Sequence, residues 1–193
     1  MLADKGFSKV YNLSGGIKAW GKEVAVGSED TGLHLFSGVA SPEEAIITGF
    51  GLETGLREFY LSMQRKGTRE ATKSLFGMLA DIEILHQDRL VKLYNEIKGT
   101  TISVADFAEK IAEPAMEGGL TTQEYLQLYK TDLDSELEVL GLALAIEAQA
   151  LDLYVRAAER GGESRKVLLQ IAEEERSHIA RLSRYIDQEQ DLT

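Results

Sequence analysis

Ala80-Asp-Ile-Glu83-Ile-Leu-His86-Gln-Asp-Arg89-Leu90 and Ala172-Glu-Glu-Glu175-Arg-Ser-His178-Ile-Ala-Arg181-Leu182 follow one pattern, Ala-x2-Glu-x2-His-x2-Arg-Leu. Glu175 and His178 each lie 92 positions after Glu83 and His86. A second pattern precedes each copy. Glu53 is followed by Tyr60, and Glu147 by Tyr154, both as Glu-x6-Tyr, with Glu147 lying 94 positions after Glu53. One helical hairpin is duplicated, and each copy contributes a Glu from its first helix and a Glu-x-x-His from its second.

Residues three, four and seven apart share one side of a helix. Glu53 shares its side with Ile46, Phe50, Leu56 and Tyr60, and Glu83 with Phe76, Leu79, His86 and Leu90. Glu147 sits with Leu140, Leu144, Leu151 and Tyr154, and Glu175 with Leu168, Ile171, His178 and Leu182. All four glutamates therefore fall on apolar stripes that must face an interior. An ionised carboxylate there is very costly unless it is paired, and four together also repel. No Lys or Arg falls squarely on these stripes, with Arg57 the nearest approach. Two divalent cations would balance four carboxylates. The i, i+3 spacing lets Glu and His reach one centre from a single turn. A Glu from each of two helices with Glu-x-x-His from the other two is a known donor set for a carboxylate-bridged metal pair. Oxygen-rich ligation with one imidazole per metal favours iron or manganese over structural zinc.

Working outward, 3.6-residue periodicity predicts helices over about 42–65, 69–98, 132–160 and 164–189. Ser41-Pro42-Glu43-Glu44 is a start signal, with Ser at the cap, Pro at the first position and Glu three residues after the cap. Gly67 separates helices one and two, and Gly161-Gly162 separates three and four, so each pair forms a tight hairpin. The connection from Gly99 to Thr131 is long for a loop and predicts a short helix near 103–113, ended by Pro114, and another capped from Thr121. Two hairpins joined by one crossover predict an all-α four-helix bundle. The first 40 residues differ. Lys9 to Leu13 predicts a short strand, Gly16 to Lys22 a helical turn, and the glycine-rich stretch to Ala40 a linker carrying a solvated His34.

Composition narrows the function. With 32 Asp and Glu against 21 Lys and Arg, the formal charge is −11, which argues against nucleic acid and anionic membrane as partners. The chain has no cysteine. That excludes disulfides, thiolate zinc, iron–sulfur clusters, rubredoxin-type iron and a cysteine nucleophile, and it fits a reducing cytoplasm. No apolar run approaches the ~18 residues of a membrane span, and the first ten residues do not read as a signal peptide.

On these motifs, residues 41–190 resemble the rubrerythrin branch of the ferritin-like diiron proteins, with all six ligand positions matched. The resemblance implies two iron ions, with manganese as the alternative and no haem. Glu83 and Glu175 would bridge them, Glu53 and His86 would complete one site, and Glu147 and His178 the other. Apart from the resemblance, Tyr60 and Tyr154 on the ligand stripes read either as core aromatics or as hydrogen-bond partners of the ligands. The implied activity is an oxidoreductase reducing hydrogen peroxide, and the implied assembly is a homodimer. Rubrerythrins usually carry a further glutamate three residues after the third-helix ligand, a position held here by Ala150. Their rubredoxin domain has no counterpart in a chain without cysteine, so a separate donor protein must supply electrons. Two other readings fit the same ligands: a ferroxidase or iron-handling protein using dioxygen, and a metal-stabilised interaction module without catalysis.

Residues 6–20, with Tyr11-Asn-Leu-Ser-Gly-Gly-Ile-Lys-Ala-Trp20, resemble the closing strand and helix of a rhodanese domain. The sulfur-carrying cysteine loop of that family is absent from the sequence, so no sulfurtransferase activity is expected. The orphan strand and Trp20 are expected to pack against the bundle or a second subunit. The expected organisation is a rhodanese-like remnant over 1–22, a linker over 23–40 and a ferritin-like bundle over 41–193.

Overall fold

Ser41 leaves an extended backbone (φ −126°, ψ 156°) and opens helix α1, Pro42–Lys66. Its hydroxyl accepts from Glu44 N at 3.2 Å, while Glu44 Oε2 accepts from Ala40 N at 2.7 Å and Ser41 N at 3.1 Å. This reciprocal cap satisfies donors that a helix start leaves open, and Pro42 sits where no donor is needed. The computed structural model describes residues 30–111 and 117–190. Over these residues the chain is all-helical, with six α-helices and no strand. The strand and helical turn expected within 1–22, Trp20 and Pro114 lie outside the described residues.

After α1 come α2, Glu70–Lys98; α3, Val104–Ala108; α4, Thr122–Tyr129; α5, Glu136–Arg160; and α6, Arg165–Gln190. Gly99 ends α2 in the left-handed region (φ 64°). Ser103 and Ser135 cap α3 and α5, and Thr121 closes a capping box with Glu124 on α4. Helix α5 begins four residues later than periodicity predicts. Asp134 is diverted to the α1–α2 turn, where its carboxylate accepts from Thr68 Oγ1 at 2.6 Å, Thr68 N at 3.2 Å and Arg69 N at 3.3 Å. That tertiary cap fixes the entry to the second hairpin against the turn of the first.

Helix α1 packs along α2 and α5 along α6, while α1 also meets α6 and α2 meets α5. The apolar interior falls into two halves. One holds Leu56, Tyr60, Phe76, Leu79, Leu140 and Leu144. The other holds Ile46, Phe50, Leu90, Ala150, Tyr154 and Ile171. On every long helix the change from one half to the other occurs at a glutamate of the repeat. Phe50 and Leu56 flank Glu53, Ala80 and Leu90 flank Glu83 and His86, Ile146 and Ala150 flank Glu147, and Ala172 and Leu182 flank Glu175 and His178. The polar layer thus lies between two apolar blocks.

Within the stretch expected as a linker, residues 30–40 dock on α5. Leu33 is buried, the Phe36 ring meets Tyr154 edge-on with centroids 5.7 Å apart, and Arg156 Nη1 donates to Thr31 O at 3.1 Å. Gly32 (φ 75°) and Gly119 (φ 81°) meet backbone to backbone, so a Cβ on either would strike the other. His34 is exposed. No described helix is long and apolar enough to cross a membrane.

Candidate metal centre

All six repeat residues are buried, each with at most 4% of its surface exposed. They assemble as two triads, Glu53–Glu83–His86 and Glu147–Glu175–His178, in which the nearest donor atoms all lie within 4.8 Å of one another. The first triad joins α1 to α2 and the second joins α5 to α6. His86 Nδ1 stands 2.7 Å from Glu83 Oε2 and 3.4 Å from Glu53 Oε2. In the repeat-related triad, His178 Nδ1 stands 3.3 Å from Glu175 Oε2 and 3.5 Å from Glu147 Oε2. Both imidazoles turn Nδ1 toward the carboxylates. The triads meet where the two rings stack, 3.6 Å between centroids.

The electrostatics follow from this crowding. Burial pushes the Glu83 carboxyl well above its ordinary range. The neighbouring charges of Glu53 and Glu147 add to that rise, and His86 only partly offsets it. Glu83 therefore responds to a carboxylate from each triad. Burial alone would depress His86, but the Glu53 charge and hydrogen bonding to Glu53 and Glu83 outweigh it and raise the ring to about 11. Burial likewise penalises ionised Glu147, yet His178, Glu175 and His86 together hold it below the usual value.

The donor set fits divalent metal ions. Glu53 Oε2, Glu83 Oε2, Glu147 Oε2 and both His86 nitrogens are buried without a well-aligned hydrogen bond. Short separations such as 2.7 Å from His86 Nδ1 to Glu83 Oε2 coexist with this misalignment. Within each triad the donor atoms are close enough for one ion to meet all three residues. Among the described residues no Lys or Arg is wholly buried, although Arg57 Nε, one turn from Glu53, is buried without a hydrogen-bond partner and Arg89 Nη1 stands 3.5 Å from His178 Nε2. Leaving the carboxylate and imidazole atoms unsatisfied is costly, and oxygen-seeking cations at the two triads would satisfy them.

Two cavities reach this layer. One of about 340 Å³ touches Glu53, His86, Glu175 and His178. Another of about 150 Å³ touches Glu83, Glu147 and His178. At the first, Arg89 Nη1 donates to Glu174 Oε2 at 2.8 Å and stands 3.5 Å from His178 Nε2. Glu174 is on an exposed face, and the sequence patterns give Arg89 no assigned role. Its signal was the arginine that closes each copy of the repeat.

Tyr60 and Tyr154 are buried aromatics of the two core halves. Tyr60 lies against Phe59 and Phe76, and Tyr154 against Phe36. Gln87, beside His86, donates to Thr54 Oγ1 at 3.0 Å and ties α2 to α1 one residue from each ligand. Ala150 is fully buried one turn from Glu147. No family model, no curated protein and no solved structure matches the chain.

Proposed function

We propose that this protein is a ferritin-like four-helix bundle that binds two iron ions and reduces peroxide, with electrons delivered by a separate donor. The observation that carries the reading is the pair of buried Glu–Glu–His triads, set back to back between two apolar blocks. Structural zinc is a poorer fit, because the donors are mostly oxygen and the set leaves coordination positions open.

A ferrous pair supplies the two electrons that, with two protons, take hydrogen peroxide to two waters. The chain's part is to hold and insulate. Glu53, Glu83 and His86 would hold one ion, and Glu147, Glu175 and His178 the other. Leu79, Leu90, Ile171 and Leu182 wall the layer and limit bulk water. Gln87 and Thr54 brace the backbone beside His86 and Glu53.

The test is stopped-flow mixing of the reduced, iron-loaded protein with hydrogen peroxide. Iron should oxidise much faster than free ferrous ion under the same conditions. Equal rates would remove the peroxidase reading. Rapid oxidation by dioxygen with release or storage of the product iron would move the assignment to iron handling. Metal-dependent thermal stabilisation without consumption of either oxidant would leave an interaction module.

A further inference from the structure

The two cavities are related by the sequence repeat. Arg89 on the first corresponds to Arg181 on the second, Gln170 to Met78 and Glu174 to Ile82, each at the same 92-residue offset. The backbone plan is therefore duplicated, but the chemistry of the two mouths has diverged. One carries two cations, Arg89 and Lys92, two carboxylates, Glu96 and Glu174, and the amide of Gln170. The other carries an arginine beside Met and Ile, and its exposed lining is mainly apolar.

We propose that the mouth spanned by Arg89 and Glu174 is the entrance for ions, and that Arg89 holds a small monoanion there, beside the metal pair. This rests on the dimetal reading given above. Three observations support it. The first cavity touches four of the six buried donors, and the Arg89–Glu174 pair, with side chains 43% and 47% exposed, lies on its lining beside the exposed Lys92 and Glu96. An ion pair so exposed contributes little to stability and opens at low cost. The Arg89 guanidinium stands 3.5 Å from the outer edge of His178, whose other nitrogen faces the carboxylates. When Nδ1 of His178 serves as a ligand, its Nε2 carries the hydrogen and cannot accept from Arg89. Arg89 then keeps its donors for Glu174 or for an incoming anion. Guanidinium is charged at every working pH and suits small oxyanions and azide. At the second mouth Ile82 replaces the carboxylate, so no comparable exchange of partners is built in.

The test uses the full chain, freed of metal by chelation, with Co²⁺ as the cation probe and azide as the anion probe. Visible absorbance follows the rate of Co²⁺ uptake and then the azide dissociation constant of the loaded protein. Arg89→Gln should speed Co²⁺ uptake and weaken azide binding, each by about three- to tenfold. Glu174→Gln should slow uptake and tighten azide binding by a similar factor. Arg181→Gln should match the wild type in both. The opposite signs separate an entrance from a structural tie, since simple loosening would move both variants the same way. Failure of the wild type to bind Co²⁺ would sink the dimetal reading itself. Normal Co²⁺ binding with Arg89→Gln and Glu174→Gln unchanged, or with Arg181→Gln shifted as far as they are, would overturn the entrance alone.

Discussion

The imidazole rings of His86 and His178 lie face to face, 3.6 Å between centroids and 3° from parallel. They occupy the same position in the two copies of the repeat, so their contact marks where the two hairpins meet. His86 belongs to the first triad and His178 to the second, and the two donor sets cannot respond independently. The carboxylates around His86 raise it from 6.5 to about 11 in the metal-free chain, although burial opposes the rise.

Metal uptake at pH 7 should therefore release protons. Metal-free His86 is protonated there, and Glu83 is pushed toward its neutral form. The proton that this pair holds must leave before both groups can ligate, so filling the Glu53–Glu83–His86 site should release at least part of one proton. Calorimetric titration with Co²⁺ in two buffers of different ionisation enthalpy measures the number directly. Apparent affinity should fall as pH drops. An enthalpy independent of buffer would contradict the protonation scheme.

Glu83→Gln should stabilise the metal-free chain and abolish its stabilisation by metal. A group whose folded value is raised contributes stability that is complete below its ordinary value, here 4.5, and is lost as pH rises through the folded value. Near neutral pH Glu83 thus carries a penalty that a neutral amide of the same shape removes, about 1–3 kcal/mol. Melting curves with and without Co²⁺ should show a higher midpoint for the metal-free variant and no further rise on adding metal, while the wild type rises. A lower metal-free midpoint would mean that Glu83 is held by pairing rather than strained by burial.

Much of this arrangement is written locally in the sequence. The Ser41–Glu44 cap, the Thr121 cap and the stripes through Glu53, Glu83, Glu147 and Glu175 use only neighbours three to seven residues away, so periodicity and capping chemistry expose them. What escaped reading is what depends on distant partners. Asp132 to Asp134 look helical in pattern, yet Asp134 is drawn to Thr68, 66 residues away, and α5 starts late. The Arg89–Glu174 pair crosses between α2 and α6 and has no local signature beyond a repeated arginine. The docking of residues 30–40 depends on two glycines meeting across the fold, which composition read only as a flexible stretch.

Acid should loosen the hairpin junctions before it reaches the core. Hydrogen bonds from the Thr68 hydroxyl and the Thr68 and Arg69 amides hold Asp134 below its ordinary value of 3.8. The Ala40 and Ser41 amides do the same for Glu44, and the Thr121 amide for Glu124. A lowered carboxyl contributes stability that is complete above its ordinary value and disappears as pH falls through the folded value. Urea midpoints of the metal-free protein should decline below about pH 4.5 in step with these groups. Asp134→Asn should flatten part of that decline and lower the midpoint at pH 7. A pH profile identical to the wild type would show that the Thr68 contacts do not depend on the charge.

Gly119→Ala should destabilise the chain and free the segment that docks on α5. Gly119 has φ 81°, a conformation that alanine adopts only at a cost, and the added methyl would point at the backbone of Gly32. Gly32 cannot yield easily, because Leu33 is buried behind it and Thr31 O accepts from Arg156. Backbone strain and displacement together should cost about 1–3 kcal/mol. The segment touches α5 at Tyr154 and Arg156, two turns or more beyond Glu147, so Co²⁺ stoichiometry should stay at the wild-type value while the midpoint falls. Amide exchange would place the damage: faster exchange confined to residues 30–40 and the start of the crossover's last turn fits this account. Loss of Co²⁺ binding would instead mean that the docked segment helps to hold the metal layer together.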